Sequence, residues 1–109
     1  MFLAMNRFRV LPGAEEDFEQ LWKSRDSQLH AVPGFVEFHL LRGPAREDHT
    51  LYASHTIWDS KGAFEDWTRS EAFRQAHRNA GGTRPLYLGH PEFEGFEPIQ
   101  TLRADSAKP

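Results

Sequence analysis

Residues 35–58, FVEFHLLRGPAREDHTLYASHTIW, hold two apolar-rich runs around a short polar loop, and their reading decides the architecture. Phe35 to Arg42 and Thr50 to Trp58 have strand composition, and the intervening GPAREDH carries the glycine, proline and charges of an exposed turn. The pair reads as a β-hairpin. One assignment turns Val36, Phe38 and Leu40 inward on the first strand and Leu51, Ala53, His55 and Ile57 inward on the second. The opposite faces then carry Phe35, Leu41, Tyr52 and Trp58, so both sides are partly apolar. Helices of the same chain can cover one side. A chain of 109 residues has nothing left for the other, which implies a homodimer packed sheet to sheet.

Working outward, the hairpin is flanked on each side by a strand and a helical region. Phe2 to Val10 alternates, with Phe2, Ala4, Asn6, Phe8 and Val10 on one face. Ala14 to about His30 is predicted as an amphipathic helix, acidic in its first turn, with Phe18, Leu21, Trp22, Arg25 and Leu29 along one stripe. After the hairpin, DSKGAFEDWTRSEAFRQAHRNA (59–80) reads as one broken helix or two abutting ones. Asp59 or Ser60 caps the first part, with Ala63, Phe64 and Trp67 inward, and Ser70 caps Glu71 to Arg78. GGTRPLYLG (81–89) is a candidate mobile rim, and Phe93 to Gln100 a last strand placed at an edge by Gly95 and Pro98. The order β-α-β-β-α-β predicts an α+β, ferredoxin-like domain over residues 1–102 with an antiparallel sheet, followed by a frayed tail at 103–109.

Composition narrows the function. A formal charge of −3 with scattered arginines argues against nucleic-acid binding, and apolar runs of a few residues fall far short of the roughly 20 needed to cross a bilayer. MFLAMNRFRV lacks the pattern of a secretory leader. The absence of cysteine excludes disulfides, thiolate nucleophiles and cysteine-bound metals, and a cytoplasmic protein is the simplest account. No GxGxxG, P-loop, HExxH or nucleophile elbow is present, and the six histidines show no short metal-ligand spacing.

Several residues then stand out, each with two readings. Asn6 is an amide on an apolar strand face, which either satisfies local backbone or addresses a ligand. Arg25 interrupts the helical stripe, either snorkelling to water or pairing with a ligand carboxylate. Trp67 serves as a core anchor or as a pocket wall, and His77 as an exposed histidine near a helix end or as a metal ligand. At ~100° per residue an unbroken helix would set Trp67 about 80° from His77, so a break near Ser70 is what brings Trp67, Phe73 and His77 to one crevice. An aromatic pocket with one imidazole, one amide and one guanidinium suits a planar iron-bearing cofactor with peripheral carboxylates.

NRFRVLPGAEEDFEQLW, PGFVEFHLLRGP, DHTLYASHTIWDS and FEDWTRSEAFRQAH together resemble the IsdG-type haem-degrading monooxygenases, HmuQ/HmuD subgroup, of the antibiotic biosynthesis monooxygenase (ABM) superfamily. The likeness runs over about residues 5 to 80. It implies a dimeric α/β barrel of ferredoxin-like subunits, each binding haem as both cofactor and substrate, with electrons from an external donor such as a reductase. It implies a catalytic trio of Asn6, Trp67 and His77: His77 as iron ligand, Asn6 steering bound oxygen towards a meso carbon, and Trp67 bending the macrocycle. Trp22, Arg25, Phe64 and Phe73 would complete the haem pocket, with Arg25 near a propionate. The products would be iron and a biliverdin-type tetrapyrrole. Two alternatives stay open: a cofactor-independent ABM monooxygenase acting on an aromatic substrate, and a non-catalytic haem carrier or sensor.

Overall fold

In a computed structural model, which describes residues 1–24, 28–70, 73 and 86–104, strand β1 (Phe2–Val10) lies in the interior of the sheet. Helix α1 (Glu15–Lys23), strands β2 (Phe35–Ala45) and β3 (Thr50–Trp58), helix α2 (Lys61–Thr68) and strand β4 (Tyr87–Phe96) follow. The antiparallel sheet has the order β2-β3-β1-β4. This is the ferredoxin-like arrangement expected from the element order.

Register decides which side chains meet the helices. Phe2 pairs with Trp58, Ala4 with Thr56, Asn6 with Ser54, Phe8 with Tyr52 and Val10 with Thr50, and directly opposed residues share a face. Trp58, Tyr52, Phe18 and Val10 are the largest fully buried side chains. The inward assignment of Leu51, Ala53, His55 and Ile57 is therefore corrected: Tyr52 and Trp58 face the helices, and those four face the opposite side. Pairing against β1 selects the face, and two large rings bury more apolar area there than the aliphatic set would. On β2, Phe38 and Leu40 do face inward, opposite Thr56 and Ser54, but Val36 does not. It falls where the register shifts between Phe35 and Glu37 and is 52% exposed.

Element ends differ from expectation in three places. Helix α1 stops at Lys23 rather than near His30; Gln28 has a left-handed backbone (φ 55°), which an α-helix cannot include, and a 3₁₀ turn follows at Leu29–Ala31. Strand β2 runs on through a bulge to Ala45, shortening the turn, which Arg46 N–H closes by donating to the His49 carbonyl at 2.6 Å. Strand β4 begins at Tyr87 and ends at Phe96, so Tyr87–Gly89 belong to the sheet rather than to a rim loop, and Pro98 lies beyond the strand. Gly95 is needed where it stands, because a Cβ there would come within 2.6 Å of the Phe2 ring.

Side-chain bonds seat both helices. Ser60 Oγ accepts from Ala63 N–H at 3.1 Å and caps α2. Gly34, at φ 84°, passes beneath that helix, and a Cβ there would collide with the Ala63 side chain. On α1, Glu15 accepts from the Thr50 hydroxyl at 2.8 Å, and Glu19 accepts from Tyr52 at 2.5 Å and Arg42 at 3.2 Å. The Tyr52 hydroxyl, followed by the charges of Arg42 and Lys23, holds the Glu19 carboxyl below its ordinary range, while burial and the Glu19 carboxylate push Tyr52 up to about 12.

Stability should therefore decline at both ends of the pH scale. The Glu19 contribution is complete above the ordinary carboxyl value of 4.5 and is lost as pH falls through the lowered native value. The Tyr52 contribution is complete below 10.0 and is lost as pH rises through about 12. Urea unfolding of Tyr52→Phe is expected to show a loss of about 1–3 kcal/mol at neutral pH and a flatter alkaline arm. An alkaline arm identical to that of the parent would contradict this role for Tyr52.

Candidate active site

The face of β1 that meets the helices reads Phe2, Ala4, Asn6, Phe8, Val10, and the core divides at its middle member. Phe2 and Ala4 join Trp58 and Trp67 in one cluster, packed by Phe64, Phe73 and Phe35. Phe8 and Val10 join Phe18 and Tyr52 in another, packed by Trp22, Leu40 and Tyr87. Asn6 lies between them. Above it a cavity of about 430 Å³ opens between α1, α2 and the β4 edge.

Each wall follows from local sequence. Phe18, Leu21 and Trp22 line one side at helical spacing along α1. Trp22 is held by an edge-on contact with Phe8 (5.8 Å between ring centroids) and by stacking on Phe38 (5.9 Å). Phe64, Trp67 and Thr68 of α2, with Phe73, form the opposite wall. The helix ends at Thr68, where Ser70 Oγ donates to the Trp67 carbonyl (2.6 Å) and accepts from Phe73 N–H (3.1 Å). These are bonds of the kind expected of a cap at Ser70; the helix expected from Glu71 to Arg78 lies, except for Phe73, outside the described residues. The bonds bring the Phe73 ring edge-on to Trp67, 4.7 Å between centroids and 86° between planes. Trp67 in turn leans on Trp58 at 5.3 Å.

The third side is the edge strand. Phe93 sits opposite Asn6 and stacks on Phe64 at 5.7 Å and 8°, joining β4 to α2. Between the pairs Arg7–Glu92 and Arg9–Leu88 the register shifts, with Gly89 at φ 60°, and this bulge presents Pro91 to the cavity below Tyr87. Among the described lining residues none carries a charge, and the polar side chains are those of Asn6, Thr68 and Tyr87.

Of the residues expected at the site, Asn6, Trp22, Phe64, Trp67 and Phe73 converge on this cavity. Arg25 and His77 lie outside the described residues. Phe8, Phe18, Leu21, Thr68, Tyr87, Pro91 and Phe93 line it as well without having been singled out. Phe8 shares the face of Asn6 and Phe18 shares the stripe of Trp22, so the same periodicity already marked them. Tyr87 and Pro91 were hidden by a strand start placed too late.

A site with aromatic rings on facing walls and an amide on its floor suits a flat, largely apolar molecule that presents a polar centre to Asn6. A haem macrocycle falls in that class, and so does a flat aromatic substrate.

Comparison with known proteins finds relatives of two kinds. Residues 1–79 match the family model "Antibiotic biosynthesis monooxygenase". The chain is 30% identical over 78 residues to heme oxygenase (staphylobilin-producing) 1 of Staphylococcus aureus (strain Newman), covering 72% of each chain. Its fold superposes with a TM-score of 0.71 on the heme-degrader MhuD of Mycobacterium tuberculosis, solved with two hemes in its active site, at 27% identity over 94% of this chain and all of that one. It also superposes with a TM-score of 0.68 on SnoaB, a cofactor-independent oxygenase from Streptomyces nogalater, at 26% identity over 94% of this chain and 97% of that one.

Trp67 is 9% exposed and touches both Trp58 and Phe73, so it holds the wall together as well as lining it. Trp67→Ala is expected to cost about 3–5 kcal/mol, the range for truncating a buried aromatic, and Trp67→Phe much less. Chemical denaturation gives both values, and equal losses would mean that the indole has no packing role.

Proposed function

This chain belongs to the antibiotic biosynthesis monooxygenase family, and from that premise we propose that it is a haem-degrading oxygenase, taking haem as substrate and opening the porphyrin with O₂ and external electrons. What carries this reading is the likeness to a named heme oxygenase, 30% identical over 78 residues, set beside a cavity with aromatic walls and a strand amide on its floor. When bound, haem supplies the iron at which oxygen and electrons meet. The protein's part is to hold and bend the macrocycle and to orient what binds at its centre.

His77 is the proposed iron ligand, as a neutral imidazole. Trp22, Phe64 and Phe73 grip the macrocycle, and Arg25 pairs with a propionate. Trp67, backed by Trp58 at 5.3 Å between ring centroids, would press against a flat ring bound beside it. The Asn6 amide would offer a hydrogen bond on the floor of the cavity to orient a small polar group bound there. Iron and an open-chain tetrapyrrole leave, biliverdin in type by likeness to the HmuQ/HmuD subgroup, and mass spectrometry of the pigment distinguishes this from a staphylobilin. The domain spans residues 1–102, and the protein works in the cytoplasm with a reductase as electron source.

A second copy packs sheet to sheet on the outer face. Support comes from the register, which puts Leu3 beside Ile57 and Phe96 and sets Leu41 beside Ala53 on that side; Leu41 and Phe96 are 40% and 45% exposed.

A cofactor-independent oxygenation of an aromatic substrate is the second reading, favoured by the likeness to SnoaB and by the lack of charge among the described lining residues. Haem titration separates the two, since only the first reading predicts a Soret band. Loss of that band with ascorbate under air separates a degrading enzyme from a carrier. His77→Ala is expected to abolish turnover and alter the Soret spectrum. Asn6→Ala should retain haem and slow ring opening on the order of 10²-fold, the scale for one positioned hydrogen-bond donor. Normal bilin formation by either variant would remove that residue from the mechanism.

A further inference from the structure

The lining of the cavity grades from closed to open, and the open end is on β4. Its most enclosed members, Phe8, Phe18 and Trp67, are 7%, 0% and 9% exposed, whereas Phe93 is 52% exposed. Among the described lining residues only Pro91 and Phe93 are exposed, and both belong to the edge strand. The mouth of the cavity therefore lies over β4. Exposed apolar side chains standing alone are ordinary on a protein surface, but Phe93 does not stand alone. Its ring lies parallel to that of Phe64, 8° between planes and 5.7 Å between centroids. Phe64 is itself held by Phe2 at 5.2 Å, Trp58 at 5.9 Å and Trp67 at 6.1 Å. Phe93 thus carries the aromatic wall of α2 across to the mouth, with Phe64 against one of its faces and about half of the residue still open. Two positions away along the strand on either side stand Pro91 and Gly95, neither with a side chain of comparable size.

We propose that Phe93 is a specificity-determining residue that selects flat ligands by their breadth. A molecule of two fused rings finds its contacts on the enclosed walls. A broader one projects over β4, where the Phe93 ring covers a part that would otherwise stay in water. Apolar area removed from water and the orientation of aromatic pairs both then favour the broader ligand. This deepens the proposed function: it rests on the cavity being the binding site, but it does not need the ligand to be haem. Under the haem reading Phe93 covers the part of the macrocycle nearest the mouth, and under the second reading it covers the terminal ring of a polycyclic substrate.

The test measures, by quenching of tryptophan fluorescence, the affinity of the whole chain for hydroxylated quinones of two, three and four fused rings and for metal-free protoporphyrin IX. Affinity of the parent should rise with ring number. Phe93→Ala should weaken the four-ring quinone and the porphyrin by about 2- to 10-fold, the range for one aromatic pair, and leave the two-ring quinone unchanged. Phe93→Trp should restore the broad ligands. Should Phe93→Ala lower the urea midpoint, Phe93→Leu, which keeps an aliphatic side chain against Phe64, carries the comparison and is expected to show the same selective loss. Equal weakening of every ligand, or none for the broad ones, overturns the role of Phe93, and so does a parent whose affinity does not rise with ring number. A parent that gives no Soret band with haem while the quinone series behaves as stated removes the haem reading and supports Phe93. A Soret band alongside a series that ignores Phe93→Ala does the reverse.

Discussion

Much in this molecule follows from one amide placed halfway along the apolar face of its first strand. An apolar residue at position 6 would let the Phe2 and Phe8 clusters merge into a single core, since β1 runs beneath both. Asn6 instead interrupts that face, and burying its amide unpaired would cost about 1–3 kcal/mol on the scale of protein mutational data. The helices close over the apolar halves on either side and leave a gap above it. The cavity is thus where packing stops, and its position is written into the alternation of a single strand.

A gap of this kind persists only if the helices on its two sides are prevented from sliding together. Helix α1 is tied to the sheet by carboxylates on its far flank, Glu15 to Thr50 and Glu19 to Tyr52 and Arg42, none of which lines the cavity. Helix α2 is set by its Ser60 cap and by the close passage of Gly34 under Ala63. Between them, edge-on and stacked aromatic pairs link strand to helix at centroid distances near 5–6 Å, including Phe8–Trp22 and Phe64–Phe93. Aromatic pairs favour particular orientations as well as buried area. The walls are consequently directional, which suits a flat ligand better than a flexible one.

How much of this was legible beforehand depended on whether the deciding signal was local. Strands β1 and β3, the Ser60 cap and the break at Ser70 could be read because alternation and capping are short-range. Asn6, Trp22, Phe64, Trp67 and Phe73 were recognisable as a set, their residue types being unusual for their positions or matched to a familiar pattern. The facing of β3 was not, because both of its faces carry apolar residues and only pairing with β1 and β2 makes the choice. Strand β4 was misplaced for a related reason: Gly89 and Pro91, which locally argue against a strand, sit in a bulge that the edge position tolerates. The end of α1 at Lys23 and the left-handed backbone at Gln28 beyond it were likewise unmarked, since no glycine or asparagine stands at Ser24 or Gln28 to announce them.

The same scaffold hosts two kinds of oxygen chemistry among similar chains, and the physical reason is visible in this cavity. Rings on facing walls accept flat apolar molecules of more than one kind, so neither the fold nor the aromatic lining separates haem degraders from cofactor-independent oxygenases. In the proposed haem reading, the features that separate them are a nitrogen ligand for iron, assigned to His77, and the amide of Asn6 on the cavity floor. Selection between chemistries then rests on a few polar atoms in a pocket otherwise built from rings.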